Sequence, residues 1–542
     1  MDAKELRAKI TSTFDKTPSW LTKFFYSDWY LAALSIVILA SWISKIMLIG
    51  LFTIIILATI LLVIMDDIKP LIPLLFYVAF CISDSTDLSI YYPLLPSLIP
   101  LILAIVFHII VYRPKRFSMG ELGVSQVLIS CALLLGGCTC ITIARWTGAL
   151  TYALLLGIGV LFVYLFCTNY IKNKHHGETS DYIAKVFMWM GLILVGEMVT
   201  YYIRNRIGTP ISEWSSYDWI NLGWGIDNNV ATLLLISAPM CFYLSTKREH
   251  PTFYILIGVV HYLGIVSTYS RGGILFAVIT APFVLVFSVL KSKNKSESLI
   301  ILICLIIVAL TAYAFLYEKV NTMLGRIFED GLTSNSRVLL YKDALHQFAN
   351  HPIFGVGCGY DGPDYENHVE EIVFYWFHST FFQVVGSMGL VGIVAYGASY
   401  IKRAKILVRD IAKDTFVLFT ALSLAGLELY SLIDTGTFVP LPTMMIVFVL
   451  FALLEKHHKE QLFMKDKYME EEYSHSDLEQ AETLEQGAPA TESAKLNIET
   501  AKSGIEDTKS SITEPKSNID GKNIIETNPN NKQTKSGEVK NV

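Results

Sequence analysis

NTMLGRIFEDGLTSNSRVLLYKDALHQFANHPIFGVGCGYDGPDYENHVEEIVFYWFHST, residues 321–380, is the longest stretch before residue 455 that lacks a membrane-length apolar run. Directly before it stands SLIILICLIIVALTAYAFLY (298–317), and directly after it FFQVVGSMGLVGIVAYGASY (381–400), both without a charged residue. Such runs satisfy all their backbone groups as helices in a bilayer, where nothing else can. The rest of the chain repeats them. Of 542 residues, 53% are hydrophobic and only 17% charged, and the mean hydropathy is +0.47. The fold class is therefore an all-α polytopic membrane protein of about 12–14 transmembrane helices. It carries a large loop containing an interfacial amphipathic helix. The runs at 70–83 and 439–454 are short for a bilayer and read as tilted or re-entrant.

Composition divides the chain. Residues 1–28 are polar and amphipathic and do not resemble a secretory signal. Residues 29–454 hold the spans, with the large loop at about 318–379. Residues 455–542 are rich in Glu, Lys, Ser, Thr and Asn and carry no aromatic residue after Tyr473. That segment reads as a disordered tail. Basic residues set the orientation. Lys4, Arg7, Lys9, Lys16 and Lys23 put the N-terminus in the cytoplasm, and the tail follows it there. The segments DSTDLSI (84–90) and DTGTFVP (434–440) have no Lys or Arg and fall outside. So do the 317–380 loop, the 204–228 loop and the turn at Arg271. Most of the eight cysteines lie in apolar runs and read as small hydrophobes, and no spacing suggests a zinc site. Nothing points to nucleic acid, and the oligomeric state is open.

On an outer face that should be poor in cations, the exceptions carry information. They are Lys45, Arg145, Arg204, Arg206, Arg271, Lys319, Arg326, Arg337 and Lys342. Lys45 and Arg145 sit in short turns and read as interfacial anchors. Arginine grips phosphate oxygens with two parallel hydrogen bonds, so an outward arginine group beside the bilayer suggests an anionic substrate. Arg271 lies in Ser270-Arg271-Gly272-Gly273, where the glycines allow a tight reversal. Its alternative role is to snorkel to lipid phosphates. Arg337 starts a helix that Ser336 can cap and Pro352 ends. Val338, Leu339, Leu340, Ala344, Leu345 and Phe348 form its apolar face, with Lys342, Asp343 and Gln347 opposite. Arg326 has Glu329 and Asp330 beside it and reads as a local ion pair. The glycine-spaced stretch 351–362 offers backbone N–H groups, at Gly355 and Gly357 among others, to an anion. His378 opens the next span and can act as a general base. An interfacial histidine in an aromatic belt is the bland alternative, and His351 and His368 compete. Within the spans, His108, Glu197, His261 and Glu428 are costly unless paired, and Glu197, His261 and Glu428 would form the proton relay of a second class of protein, a transporter or flippase. Asp434, at the outer end of its span, reads with them as able to line a cavity or form a proton path.

Taken together, GIDNNVAT (225–232), STYSRGG (267–273), NSRVLLYKDALHQFANHPIFGVGCGYDG (335–362) and HSTFFQVVGSMGLVGI (378–393) resemble the O-antigen ligase and O-antigen polymerase superfamily of bacterial membrane glycosyltransferases. The resemblance covers about residues 225–400. It implies a bacterial plasma-membrane enzyme that moves a polyprenyl-pyrophosphate-linked glycan to an acceptor hydroxyl of a glycan, lipid or wall polymer. It implies no cofactor and no metal. By the same resemblance Arg271 and Arg337 hold the pyrophosphate, His378 orients or deprotonates the acceptor, and the displacement inverts the anomeric carbon. Ser270, Asn228, Arg326, Gly355 and Gly357 join as binding residues. The chain departs from the family in having Ser379 after His378 and Asp227 before Asn228.

Overall fold

A computed structural model describes residues 19–83, 88–135, 150, 153–172, 179–207, 220–315, 317–318, 321, 325, 335–358, 360, 376–434, 436–438, 440 and 442–462. These are helical almost throughout, with one isolated antiparallel bridge between Asn221 and Ile226. The principal helices are α1 (Asp28–Ile43), α2 (Met47–Ile64), α3 (Leu95–Val111), α4 (Gly123–Leu135) and α5 (Val160–Tyr170). Next come α6 (Thr179–Arg206), α7 (Asp227–Thr246), α8 (Thr252–Ser267), α9 (Arg271–Leu290) and α10 (Lys295–Phe315). The last three are α11 (Asn335–Asn350), α12 (Thr380–Asp410) and α13 (Thr415–Tyr430), and residues 442–462 form a final helix. Among the described residues eight helical segments are long and apolar enough to cross a membrane, and shorter apolar helices pack between them. The chain is a multi-pass membrane protein. The short expected run near 70–83 is a 3₁₀–α–3₁₀ segment over residues 69–81.

Burial orders the bundle. In α7, 94% of the apolar window is buried, against 11% in α10. The reason is compositional. α7 carries small and polar side chains, such as Thr232, Ser237, Ser245 and Thr246, that bond their own turns and let neighbours close in. It packs against α6, α8, α9 and α13. α10 is apolar all round, and lipid is as good a neighbour to it as protein.

Helix α12 is not continuous. Gly389 has φ 59° and ψ −150°, which opens the helix inside the bundle. The loop after α11 fills the gap. Val356 N–H donates to Gly386 O at 2.9 Å and Gly357 N–H to Ser387 O at 3.0 Å. In return Leu390 N–H donates to Pro352 O at 2.9 Å and Val391 N–H to Ile353 O at 3.1 Å. Backbone groups freed within a membrane protein must find such partners. The crossing is possible only because both strands of it are glycine: a Cβ on Gly355 would sit 2.3 Å from Ser387 C, and one on Gly389 2.6 Å from Gly355 N.

Other sequence expectations shift in detail. The reversal before α9 is made by Tyr269, at φ 57°, and not by the glycines, which lie inside the helix. On α11 the partly buried residues include Arg337, Tyr341, Asp343 and Gln347, while Val338, Leu339 and Leu345 are exposed. The expected apolar face is thus split: Val338, Leu339 and Leu345 point away from the protein, while Ala344 is buried and Leu340 and Phe348 are half-buried. Residues 455–462 continue the final helix, although composition assigned them to the tail. Glu455 is buried and accepts from Tyr164 Oη at 2.6 Å and Glu121 N–H at 2.9 Å.

Gly355→Ala should lower thermal stability by about 1–3 kcal/mol, through a left-handed backbone angle and a backbone clash. Gly397→Ala, whose added Cβ meets nothing within 4 Å, should be neutral or stabilise by up to about 1 kcal/mol. Thermal unfolding of the two variants in detergent measures both, and equal behaviour would refute the crossing.

Candidate active site

The loop before α7, the turn between α8 and α9, the start of α11, the start of α12 and the end of α13 meet at one end of the bundle. The turn is built first. Tyr269 takes a left-handed angle, so that Ser270 can cap α9 by accepting from Gly273 N–H at 3.2 Å. The same Ser270 hydroxyl donates to Asn228 Oδ1 at 2.7 Å and lies 3.2 Å from Tyr430 Oη. Gly272 and Gly273 make this closeness possible. A Cβ on Gly272 would fall 2.5 Å from the Tyr430 ring, and one on Gly273 2.7 Å from Ala231. Arg271 is then the first residue of a twenty-residue helix. Guanidinium and helix N-terminus present positive charge together.

Asp434, four residues beyond the end of α13, ties the other elements in. Its Oδ2 lies 3.3 Å from Arg337 Nη2 and accepts from Tyr430 Oη at 3.4 Å. Its Oδ1 lies 3.6 Å from His378 Nδ1. Arg337 Nη1 also donates to Ile433 O at 2.6 Å. The backbone joins the same knot, since Thr380 N–H donates to Ser431 O at 2.8 Å and to Asp434 O at 3.2 Å. One carboxylate therefore lies between a cation on α11 and an imidazole just before α12.

His378 is held from both sides of the sequence. Phe377 is fully buried and donates its N–H to Gln383 Oε1 at 3.0 Å. Ser379 caps α12 by accepting from Phe382 N–H. Between them His378 adopts φ 49°, an uncommon angle for a residue with a Cβ. Tyr341 donates to His378 O at 3.1 Å while its ring stacks on Phe382, centroids 4.4 Å apart. Burial pushes the Tyr341 phenol up from its ordinary range; Arg337 opposes that shift and Asp434 adds to it. The phenol therefore stays a neutral donor. The His378 ring is 41% exposed although its Nδ1 is buried against Asp434. The open edge is the Nε2 edge. The Asp434 carboxylate faces Nδ1 from 3.6 Å without hydrogen-bonding it, and the exposed edge is the one an incoming hydroxyl can reach.

Not every candidate joins this cluster. Asn228, Ser270, Arg271, Arg337 and His378 come together. Gly355 and Gly357 do not offer free N–H groups, because these are given to His351 O and Ser387 O. Arg204 reaches Ile43 O and stacks on Trp42, and Arg206 stacks on Tyr202. Lys342 is exposed on α11. Arg145, Lys319, Arg326 and His368 lie outside the described residues. The intramembrane polar residues each have their own partner: Glu197 accepts from Trp224 Nε1 at 2.8 Å, His108 meets Leu62 O at 2.9 Å, and Glu428 pairs with Arg403 and Tyr400. His261 lies 3.4 Å from Ser237 Oγ. Tyr430 was missed by sequence reasoning, and Asp434 was read only as lining a cavity or a proton path. The signal available for Asp434 was a lone acid in a segment without basic residues. Among the described residues no group of three or more His, Cys, Asp or Glu is arranged to hold a metal ion.

Residues 253–397 match the model of the family described as O-Antigen ligase. The matched segment begins in α8 and ends in α12. It includes Ser270, Arg271, Arg337 and His378 but neither Asn228 nor Asp434. No curated protein matches the chain.

Selective ¹⁵N-histidine labelling should find neutral His378 as the Nδ1–H tautomer in the native protein. In Asp434→Asn the resonance should move toward a tautomer mixture. An unchanged spectrum in that variant would remove Asp434 as the orienting group.

Proposed function

We propose that this chain, which belongs through residues 253–397 to the O-antigen ligase superfamily, transfers a polyprenyl-pyrophosphate-linked glycan to an acceptor hydroxyl at the outer membrane face. The family supports a glycosyltransferase-type role in surface polysaccharide assembly. The observation that carries the finer reading is the Asp434 bridge, which holds Arg337 and His378 on one carboxylate beside the Ser270–Arg271 turn.

The chemistry follows from those positions. His378 Nε2 takes the proton of the acceptor hydroxyl as its oxygen attacks the anomeric carbon. The bond from that carbon to the pyrophosphate oxygen breaks, and its electron pair leaves with the phosphate. One displacement inverts the anomeric centre. Negative charge grows on the leaving oxygen, and Arg271, Arg337 and the N-terminus of α9 are the groups able to meet it. Preorganised donors of this kind are worth about 3–4 kcal/mol each when removed singly. A proton-accepting imidazole contributes about 10²–10⁴ in rate. Asp434 keeps the resulting imidazolium paired. Ligase-type transfer and polymerase-type extension share these steps and differ in the acceptor.

In nanodiscs supplied with lipid-linked glycan from membrane extracts, His378→Ala should lose about 10²–10⁴ in transfer rate. Arg271→Ala and Arg337→Ala should each lose on the order of 10² or more. Glu197→Gln should keep its activity. Activity retained in His378→Ala and lost in Glu197→Gln would favour a relay through the membrane and sink this assignment.

A further inference from the structure

Tyr430 ends α13 and is 1% exposed. Its ring lies in the space that Gly272 leaves by having no side chain, and it meets Phe276 with ring centroids 6.4 Å apart. The ring is pinned, so its hydroxyl stands at a fixed point between two groups. One is Ser270 Oγ at 3.2 Å, the other Asp434 Oδ2 at 3.4 Å. Besides Asp434, the charged groups that act on this phenol are Arg337 and Asp227.

The two contacts compete for one proton. A hydroxyl has a single proton to give, and a carboxylate has none. Ser270 places its own proton on Asn228 Oδ1 at 2.7 Å. Tyr430 must then be the donor at both of its contacts, and what Ser270 gains Asp434 loses. Turning the Asn228 amide over changes the donors and not the outcome. Ser270 would then donate to Tyr430, and Tyr430 to Asp434. In either arrangement an anion that takes the Ser270 proton draws the phenol's proton off Asp434, because a hydroxyl donating to an anion becomes a stronger acceptor itself.

Ser270 stands beside Arg271 at the start of α9. At the other end of the path His378 Nδ1 is buried without a hydrogen bond, 3.6 Å from Asp434 Oδ1. Asp434 Oδ2 also meets Arg337. A carboxylate that loses one donor attracts its remaining partners more strongly, since less of its charge is met.

We propose that Tyr430 is a positioning residue that couples the two halves of the site: an anion on the Ser270–Arg271 turn takes over the phenol's hydrogen bond, and Asp434, left with Arg337, closes on His378 Nδ1. The imidazole is thus fixed in place by the arrival of the donor's phosphates. The proposal rests on the transfer reading above and adds an order to it, donor before acceptor.

The test reads His378 Nδ1–H by NMR, on the full chain labelled with ¹⁵N-histidine in phosphatidylcholine nanodiscs. Loss of the signal in His378→Gln assigns it, and inorganic pyrophosphate is the probe. In the native protein the proton should move downfield as pyrophosphate is added, the direction of a hydrogen bond forming. Tyr430→Phe keeps the ring and removes only the hydroxyl; there the proton should lie downfield from the outset and move little further. In Ser270→Ala it should stay near the native starting position. Pyrophosphate should also bind Tyr430→Phe about two- to tenfold more weakly than native protein, the converse that linkage requires. Equal responses in all three proteins would be the field of the anion alone and would overturn the coupling. So would a native signal that ignores pyrophosphate, or a Tyr430→Phe signal that starts where the native one does, as a merely structural tyrosine requires. The measurement involves no transfer. A dead transfer assay with these shifts intact therefore removes the transferase and leaves the coupling, and active transfer without the shifts removes the coupling alone.

Discussion

A carboxylate at the edge of an apolar bundle must be paired, and the pairing of Asp434 decides how five segments meet. The side chain is 7% exposed. Stripping one partner from a buried ion pair costs more than the pair itself contributes, because the remaining charge stays desolvated. Asp434 avoids that cost by using both oxygens. One meets Arg337 and Tyr430, the other faces His378. Arg337 arrives on α11, Tyr430 on α13 and His378 just before α12, so the carboxylate acts as a register mark between the three helices. The turn carrying Arg271 is added through Tyr430, which touches Ser270 and the Gly272 backbone at once.

The break in α12 explains why a surface helix can hold one of these groups in place. α11 has only a narrow inward edge, and several of its apolar residues face away from the protein. Alone it would slide. The loop that follows it crosses α12 at Gly355 and Gly389 with four reciprocal backbone bonds. Arg337 at one end of α11 and the crossing at the other then hold it at two points. Ala344, fully buried against Gly386, is the contact between them.

Much of this was legible in the residues. Apolar runs announced the spans, because a bilayer leaves a backbone no other option. Ser270-Arg271-Gly272-Gly273, Arg337 and His378 were each visible as a cation or base out of place beside a membrane, and they do come together. Asp434 was placed at its span's outer end but not seen as the hub. An acid outside the membrane is unremarkable until another chain segment supplies its partners, and Tyr430 looks like any interfacial tyrosine. The alternating glycines of 351–362 were read as an anion cradle. Glycine frees backbone for any close approach, and here the approaching object is the chain's own helix. The amphipathic face of α11 was assigned by hydrophobicity alone, which does not say whether lipid or protein is the apolar neighbour.

Tyr269 and His378 share a local design: a left-handed residue immediately before a serine that caps a helix. At both positions glycine would be the easier residue for the backbone. At 378 that comfort would erase the imidazole. Under the proposed transfer the position is subject to two opposed pressures, one from folding and one from chemistry, and only the second would keep a histidine there. Released from its task, the chain could settle into glycine at 378 with a gain in stability. A glycine at that position in a descendant would record a lost activity more surely than any damage elsewhere in the bundle.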